Sequence, residues 1–325
     1  MPEFNSSSPI EELPVDFSTT EEPTSSFESA MSELQSTSDF LNPMSSNVTS
    51  ESQHSGMTAE ELSDPNRIEV SIADGEAPLV VLFGPPSCGK TMTLVRLTRF
   101  LATQGYQVAP IRTFRPSYDT HYRGLCDSFN TMVNQVGAAR STNLISFMLV
   151  EVLKDGRRVC QILEAPGEYY FDPQKPQNPF PAYVNKIIHS NNRKVWCTFI
   201  EPDWQNETDR ANYVQRITQL KTQMRPKDKT VFVFNKIDKT NFVIGPGQVH
   251  LAQARKEVDN LFRGLFQPFR NLNPITSFFS PWRCQFVPFQ TGTYTQDREG
   301  RLTYQQRADE YPRMLWRSIQ KYLKG

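Results

Sequence analysis

The sequence predicts an α/β fold, a mostly parallel sheet with one antiparallel hairpin strand and helices on both faces. Three observations carry this expectation. Short apolar runs alternate with segments of helical period from Pro78 onward, the pattern of strands joined by crossover helices. A glycine-bounded loop, Gly84 to Thr91, stands between the first run and the first helix. Further on, Lys154-Asp155-Gly156-Arg157 separates two strand-like runs, and Asp-Gly in that position is a strong hairpin signal.

The elements follow in order. Residues 78–83 form a short apolar run ending at the glycine loop and read as a buried strand. Residues 91–101 read as a helix, with Leu94, Leu97 and Leu101 at helical spacing. Residues 106–113 read as a strand. Residues 119–136 read as a helix with Leu125, Phe129, Met132 and Val136 on one face. The hairpin strands span 144–153 and 158–163, and a Pro-rich loop follows from Pro173 to Pro181. Residues 195–200 and 230–234 are strands that flank a helix over 212–223, with Tyr213, Ile217 and Leu220 inward. A long helix is expected over 249–266 through Leu251, Ala254, Val258, Leu261 and Leu265. A strand over 285–289 and a closing helix over 311–323, packed through Leu315, Ile319 and Tyr322, complete the chain. No internal repeat is visible.

The 325 residues carry a formal net charge of zero, which conceals a division. Residues 1–77 hold 16 acidic residues and a single basic one, Arg67, whereas residues 78–325 hold 34 basic and 19 acidic residues. The early segment is rich in Ser, Thr, Glu and Pro, and it cannot bury enough apolar surface to offset its ordering entropy. Residues 1–77 are therefore expected to be a disordered acidic tail, with short transient helices near 27–34 and 59–62. Such a tail either solubilises the chain or docks on its own basic domain or on a partner. No apolar run approaches the ~20 residues of a membrane span, and no basic start followed by an apolar stretch marks a signal peptide. The five cysteines are widely spaced and form no CxxC pair, so buried free thiols in a reducing cytoplasm are expected. Basic residues such as Lys227, Lys229, Arg255 and Arg263 are scattered among acids, so nucleic-acid binding is not expected.

Gly84-Pro85-Pro86-Ser87-Cys88-Gly89-Lys90-Thr91, followed by Met92, fits GxxxxGK[ST] between a strand and a helix. Glycines let backbone N–H groups wrap a phosphate, and the helix N-terminus adds positive charge. Lys90 is placed to neutralise β/γ-phosphates, and the Thr91 hydroxyl to meet Mg²⁺. Cys88 is either a small loop filler or a thiol activated by the same field. The strand ending at Leu163 runs into Glu164-Ala165-Pro166-Gly167-Glu168. A carboxylate at a buried strand end is where P-loop proteins hold Mg²⁺. Residues 230–234 lead into Asn235-Lys236-Ile237-Asp238, an NKxD motif. Guanine presents N1–H and N2–H₂ as adjacent donors, which the Asp238 carboxylate can accept together and adenine cannot supply. Such a site rejects the wrong base strongly, because a buried polar group is left unpaired.

On these three motifs residues 78–325 resemble the TRAFAC class of P-loop GTPases, Ras-like and Era-like, and are similar to bacterial proteins of the double-GTPase type. The resemblance implies a P-loop NTPase G domain that binds GTP or GDP with Mg²⁺ and hydrolyses GTP as a molecular switch. The alternatives are a GTP- or GDP-binding interaction module with negligible turnover and, less favoured, an ATPase. Glu164 replaces the usual aspartate of DxxG. Gly167 is implied to give its N–H to the γ-phosphate. Glu168 stands where Ras-like proteins carry a water-orienting glutamine. Thr142, 22 residues ahead of Glu164, is implied as the switch I threonine and Mg²⁺ ligand, with Thr113 as rival. Arg140 is implied as an arginine finger in cis. Asn235 and the Lys236 stem support the base, and Gln290-Thr291-Gly292 corresponds by position to the loop that reads it through backbone N–H groups. Residues 106–136, with Tyr118, His121, Tyr122 and Arg123, form an insert expected to cap the nucleotide or bind a partner. The aromatic segment Tyr169, Tyr170, Phe171, Phe180, Tyr183 and Trp204 is either core or a nucleotide-dependent partner surface. A protein effector or regulator and a nucleotide-dependent dimer are the implied partners.

Overall fold

The computed structural model describes residues 57–72, 74–134, 147–296 and 302–324. Its strands, in chain order, are β1 (Leu79–Phe83), β2 (Tyr106–Pro110), β3 (Met148–Lys154), β4 (Arg157–Glu164), β5 (Lys194–Ile200), β6 (Lys229–Phe234), β7 (Val243–Gly245), β8 (Gln248–Val249), β9 (Cys284–Pro288), β10 (Thr293–Gln296) and β11 (Leu302–Gln305). Seven of them form one sheet in the order β2-β3-β4-β1-β5-β6-β9. β1 is parallel to β4 and β5, β5 to β6, and β6 to β9. β3 alone runs against its neighbours, antiparallel to both β2 and β4. The fold class expected from the sequence is the one observed.

Every residue of β1 and β5 is buried, as strands covered on both faces require. The β3–β4 turn has positive φ at Asp155 (51°) and Gly156 (73°), the geometry whose twist matches flanking strands. On one face of the sheet the helix Lys90–Thr103 packs with the helix Glu310–Leu323. Beneath the other, Phe83 meets Tyr170, Phe180 and Tyr213 at ring-centroid distances of 4.9, 6.3 and 6.5 Å. Tyr170, Phe171, Phe180 and Tyr183 are buried and Tyr169 and Trp204 half-buried, so the aromatic segment after Gly167 is core.

The expected insert is partly integrated into the sheet: β2 extends it at the edge, and the helix Thr120–Asn134 covers that edge. Within it Tyr122 is buried and donates to Ile111 O, a structural role. His121 and Tyr118 are exposed. The helix expected over 249–266 ends at Leu261. Beyond it Phe262, Leu265 and Phe266 are buried, and Phe266 packs 4.9 Å from Phe232. That burial wins over continued helix. At the other end, Gln248–Val249 is drawn into the small β7–β8 hairpin instead.

The boundary expected near residue 77 also moves. Met57, Ile68 and Val70, inside the segment expected to be a tail, are buried in the same core as the sheet. The helix Ala59–Ser63 starts with a complete capping box between Thr58 and Glu61, which satisfies two otherwise orphaned N–H groups. Glu61 then pairs with Arg115 at 2.6 Å, and Asp119 pairs with the same guanidinium at 2.8 Å. Arg115 also donates to Glu69 O, and Lys186 to Val70 O. Residues 57–72 are thus strapped onto the domain by hydrogen bonds and apolar burial together. The expected helix near 27–34 lies outside the described residues. Among the described residues no helix is long and apolar enough to cross a membrane.

Candidate functional site

The site lies at the C-terminal ends of β1, β4, β6 and β9, where an α/β sheet places its ligands. β1 feeds the loop Gly84–Gly89, and the helix Lys90–Thr103 leaves it. Inside the loop the backbone turns through left-handed conformations at Ser87 (φ 59°) and Gly89 (φ 87°). A β-carbon at Gly89 would stand 2.3 Å from Asn235 Nδ2. That close approach is the junction of two motifs: Asn235 Nδ2 donates to Cys88 O at 2.6 Å, pinning the end of β6 to the phosphate loop. Thr291 reaches the same point, 3.6 Å from that β-carbon position. Phe289 N donates to Phe234 O, and Ile237 N to Phe289 O. Phe289, directly ahead of Gln290–Gly292, is therefore tied to β6 and the NKxD turn by backbone, and the Thr291 side chain approaches the loop at Gly89.

Lys236 takes a left-handed conformation, φ 53°, and its Nζ pairs with Glu201 Oε2 at 2.8 Å. Asp238 sits exposed on the following 3₁₀ turn, Ile237–Lys239. Burial, and then the Asp238 carboxylate, push the Tyr311 phenol above its ordinary pKa. Tyr311 thus lies near the Ile237–Lys239 turn.

On the phosphate side, Lys90 is buried and its Nζ donates to Pro85 O at 2.9 Å. Glu164, the last residue of β4, is buried. Thr91 Oγ1 donates to Glu164 Oε1 at 2.9 Å, while Oε2 is buried without a hydrogen-bond partner. Burial pushes this carboxyl up to about 8, against the opposing pull of Lys90 and Thr91. Gly167 abuts the loop from the other side. A β-carbon there would lie 2.3 Å from both Pro85 C and Pro86 N, so only glycine permits this approach. Met92 is buried in the helix that follows. Pro86 and Ser87 are exposed at the loop's turn.

The structure therefore brings together Gly84 to Met92, Glu164, Gly167, Asn235, Lys236 and Gln290 to Gly292. Glu168 is exposed beside Gly167. Thr142 and Arg140 lie outside the described residues. Thr113 is exposed in the 3₁₀ turn Arg112–Phe114. The activated-thiol reading of Cys88 is overturned. Burial pushes its pKa up to about 11, and the nearby Lys90 and Lys236 charges offset this only in part. A protonated thiol filling the loop is the result.

Two residues of the site were missed by sequence reasoning. Glu201 directly follows β5 and Glu164 closes β4, so an acid at the end of a buried strand was the available signal. Arg216 carried none. From mid-helix it donates through Nε to Tyr170 O at 2.6 Å and through Nη1 to Asn178 O at 2.7 Å. Its guanidinium lies 3.8 Å from the Phe180 ring centroid. Burial without a carboxylate partner pulls its pKa down to about 10. This one side chain braces the whole segment that follows Gly167.

No protein-family model matches this chain, and no curated protein matches it. Solved structures do. A nucleolar GTP-binding protein 1 from Plasmodium falciparum is similar at TM-score 0.40 and 13% identity, over 79% of this chain and 90% of that one. The chloroplast translocon components atToc33 and psToc159, for which dimerization is important for GTPase activity, give 0.40 and 12%, over 77% and 84%. An apo-form GTPase from Pyrococcus abyssi gives 0.32 and 12%, over 66% and 90%.

Proposed function

We propose that this protein is a guanine-nucleotide-binding switch that hydrolyses GTP to GDP and phosphate with Mg²⁺. The observation that carries the reading is the Asn235–Cys88 hydrogen bond of 2.6 Å, which locks a base-reading motif onto a phosphate loop. A chance NKxD has no reason to be fastened there.

In this reading the Asp238 carboxylate accepts N1–H and N2–H₂ of guanine, the Lys236 stem covers the ring, and backbone N–H groups of Gln290–Gly292 meet the base. Loop N–H groups from Gly84 to Gly89 hold the phosphates. Lys90 exchanges Pro85 O for β/γ-phosphate oxygens, and Gly167 N–H meets the γ-phosphate. Glu164 Oε2, buried and unpaired, and the Thr91 hydroxyl beside it are hard oxygen donors that fit Mg²⁺. Mg²⁺, when bound, supplies neutralisation of charge on the transferring phosphate. Thr142 as a further Mg²⁺ ligand, Arg140 as an arginine finger and Glu168 beside the attacking water complete the proposal. A protein effector or regulator, a nucleotide-dependent dimer and a cytoplasmic site of action go with it.

Two features of the sequence favour a second reading, a guanine-nucleotide-binding module with negligible turnover. Glu164 stands in place of the usual aspartate, and Glu168 carries no glutamine amide. Turnover at saturating Mg²⁺ separates the two readings. The common core is tested by binding fluorescent GDP, GTP and ATP analogues to wild type and Asp238→Asn. Guanine-selective binding that the substitution abolishes is expected; binding indifferent to the base would refute the reading.

A further inference from the structure

At the opposite pole of the sheet, ahead of β9, the chain builds a protrusion whose exposure is out of keeping with its composition. Leu272, Ile275, Phe278 and Phe279 are 83, 77, 86 and 84% exposed. They are displayed by a stiff support. The helix Pro274–Phe279 is capped by Asn273, whose side chain accepts from Ile275 N and Thr276 N. Asn271 Nδ2 ties Thr276 Oγ1 and Ser280 O, each at 2.9 Å. Asn271 N donates to Pro281 O, Arg283 N donates to Phe269 O, and Arg270 bridges Trp282. Four large apolar side chains held outward together are costly to leave in water, and such patches mark contact surfaces.

The charge around the protrusion specifies what it contacts. Residues 260–296 contain Arg263, Arg270 and Arg283 and no acidic residue. In the cleft beside the protrusion, the Arg255 and Arg270 guanidiniums lie 5.6 and 5.5 Å from the Trp282 ring. Neither makes a salt bridge among the described residues. Guanidiniums bind phosphate through paired N–H donors. Here the donors stand beside the apolar group, and among the described residues no carboxylate pairs with them.

We propose that this face docks on an anionic lipid bilayer. Leu272, Ile275, Phe278 and Phe279 enter the headgroup–acyl boundary, and Arg255 and Arg270 take lipid phosphates. An apolar wedge with basic residues at its base matches both layers of such an interface. An apolar protein partner, by contrast, would be matched by charge of no particular sign. Because β9 is parallel to β6 and the Gln290–Gly292 loop follows its far end, docking leaves the candidate nucleotide site facing away from the membrane. The inference stands independently of what that site binds.

The test is co-sedimentation of the full chain with phosphatidylcholine vesicles, pure or containing about one-third phosphatidylserine. Binding to the anionic vesicles only, falling with added salt, is expected. Phe278→Ser with Phe279→Ser is expected to weaken it by at least about tenfold. Arg255→Gln with Arg270→Gln is expected to weaken it and flatten its salt dependence. All four side chains are on the surface or its margin, so circular dichroism and melting should match wild type in both variants. Absence of binding to anionic vesicles, or equal binding by the Phe278→Ser/Phe279→Ser variant, would overturn the proposal. Vesicle-inert protein whose self-association is abolished by that variant would also overturn it, assigning the face to a second copy.

Discussion

Glu164 provides a test of the phosphate side of the site that needs no nucleotide. Its carboxyl is held at about 8 by burial, against an ordinary value of 4.5. Between those values the folded protein carries a proton on Glu164 that the unfolded chain has released. Raising the pH therefore favours the unfolded chain: the contribution to stability is complete below 4.5 and is lost as pH rises through 8. While the two states differ by a full proton the slope is about 1.4 kcal/mol per pH unit. Glu164→Gln keeps the shape and an acceptor for Thr91 Oγ1 but cannot ionise. In chelator, with urea titrations from pH 5.5 to 7, wild type is expected to lose about 2 kcal/mol relative to the variant. Taking the difference removes the titrations common to both proteins. Parallel curves would mean that Glu164 is already ionised in the ligand-free fold, and the account of its orphaned Oε2 would fail.

Other perturbations address neighbouring parts. Gly167→Ala forces a β-carbon into the Pro85–Pro86 peptide, where it would stand 2.3 Å from backbone atoms; about 1–3 kcal/mol of destabilisation is expected in a melt of the ligand-free protein, and an unchanged melt would refute the approach. Arg216→Met keeps most of the packing on Phe180 but leaves the Tyr170 and Asn178 carbonyls without their donor; cleavage between Gly167 and Pro181 in limited proteolysis should accelerate, with stability down on the order of 2–3 kcal/mol. Glu61→Gln removes one of the two carboxylates on buried Arg115; amide exchange over residues 57–72 should rise, and exchange identical to wild type would show that the strap is held by apolar burial alone.

Much of this was legible because buried strands have a simple code. β1, β5 and β6 are nearly unbroken apolar runs, and the phosphate loop and the NKxD motif sit at the ends of β1 and β6, so their order and placement followed directly. The β3–β4 turn was readable from Asp155-Gly156 because few sequences tolerate two successive positive φ values. What was not legible depends on contacts distant in sequence. Helical period at 249–266 cannot reveal that Phe266 leaves the helix to pack on Phe232. Composition assigned residues 57–77 to a tail because Met57, Ile68 and Val70 are few. It takes the Glu61–Arg115 pair, 54 residues apart, to make those few enough. The Asn235–Cys88 bond spans 147 residues, and Arg216 looks like any polar helical residue until its partners are known.

The same contacts bear on how the strap relates to the site. Arg115, which Glu61 holds, lies with its guanidinium 5.4 Å from the Phe147 ring, one residue ahead of β3. Burial, then Glu168, then Glu61 push the Tyr169 phenol up to about 12, so the strap's carboxylate also lies close to the segment that begins at Gly167. Tyr169 and Phe147 both pack on Tyr183, at 6.1 and 5.5 Å between centroids. Through Glu61 and the Arg115 it holds, the strap is thus linked to the segment at Phe147 and lies near the segment at Tyr169. A displacement of either segment must be accommodated at Tyr183 or at Arg115, because cores of this density do not deform continuously. Residues 57–72 are in that sense part of the domain's packing and not an appendage to it.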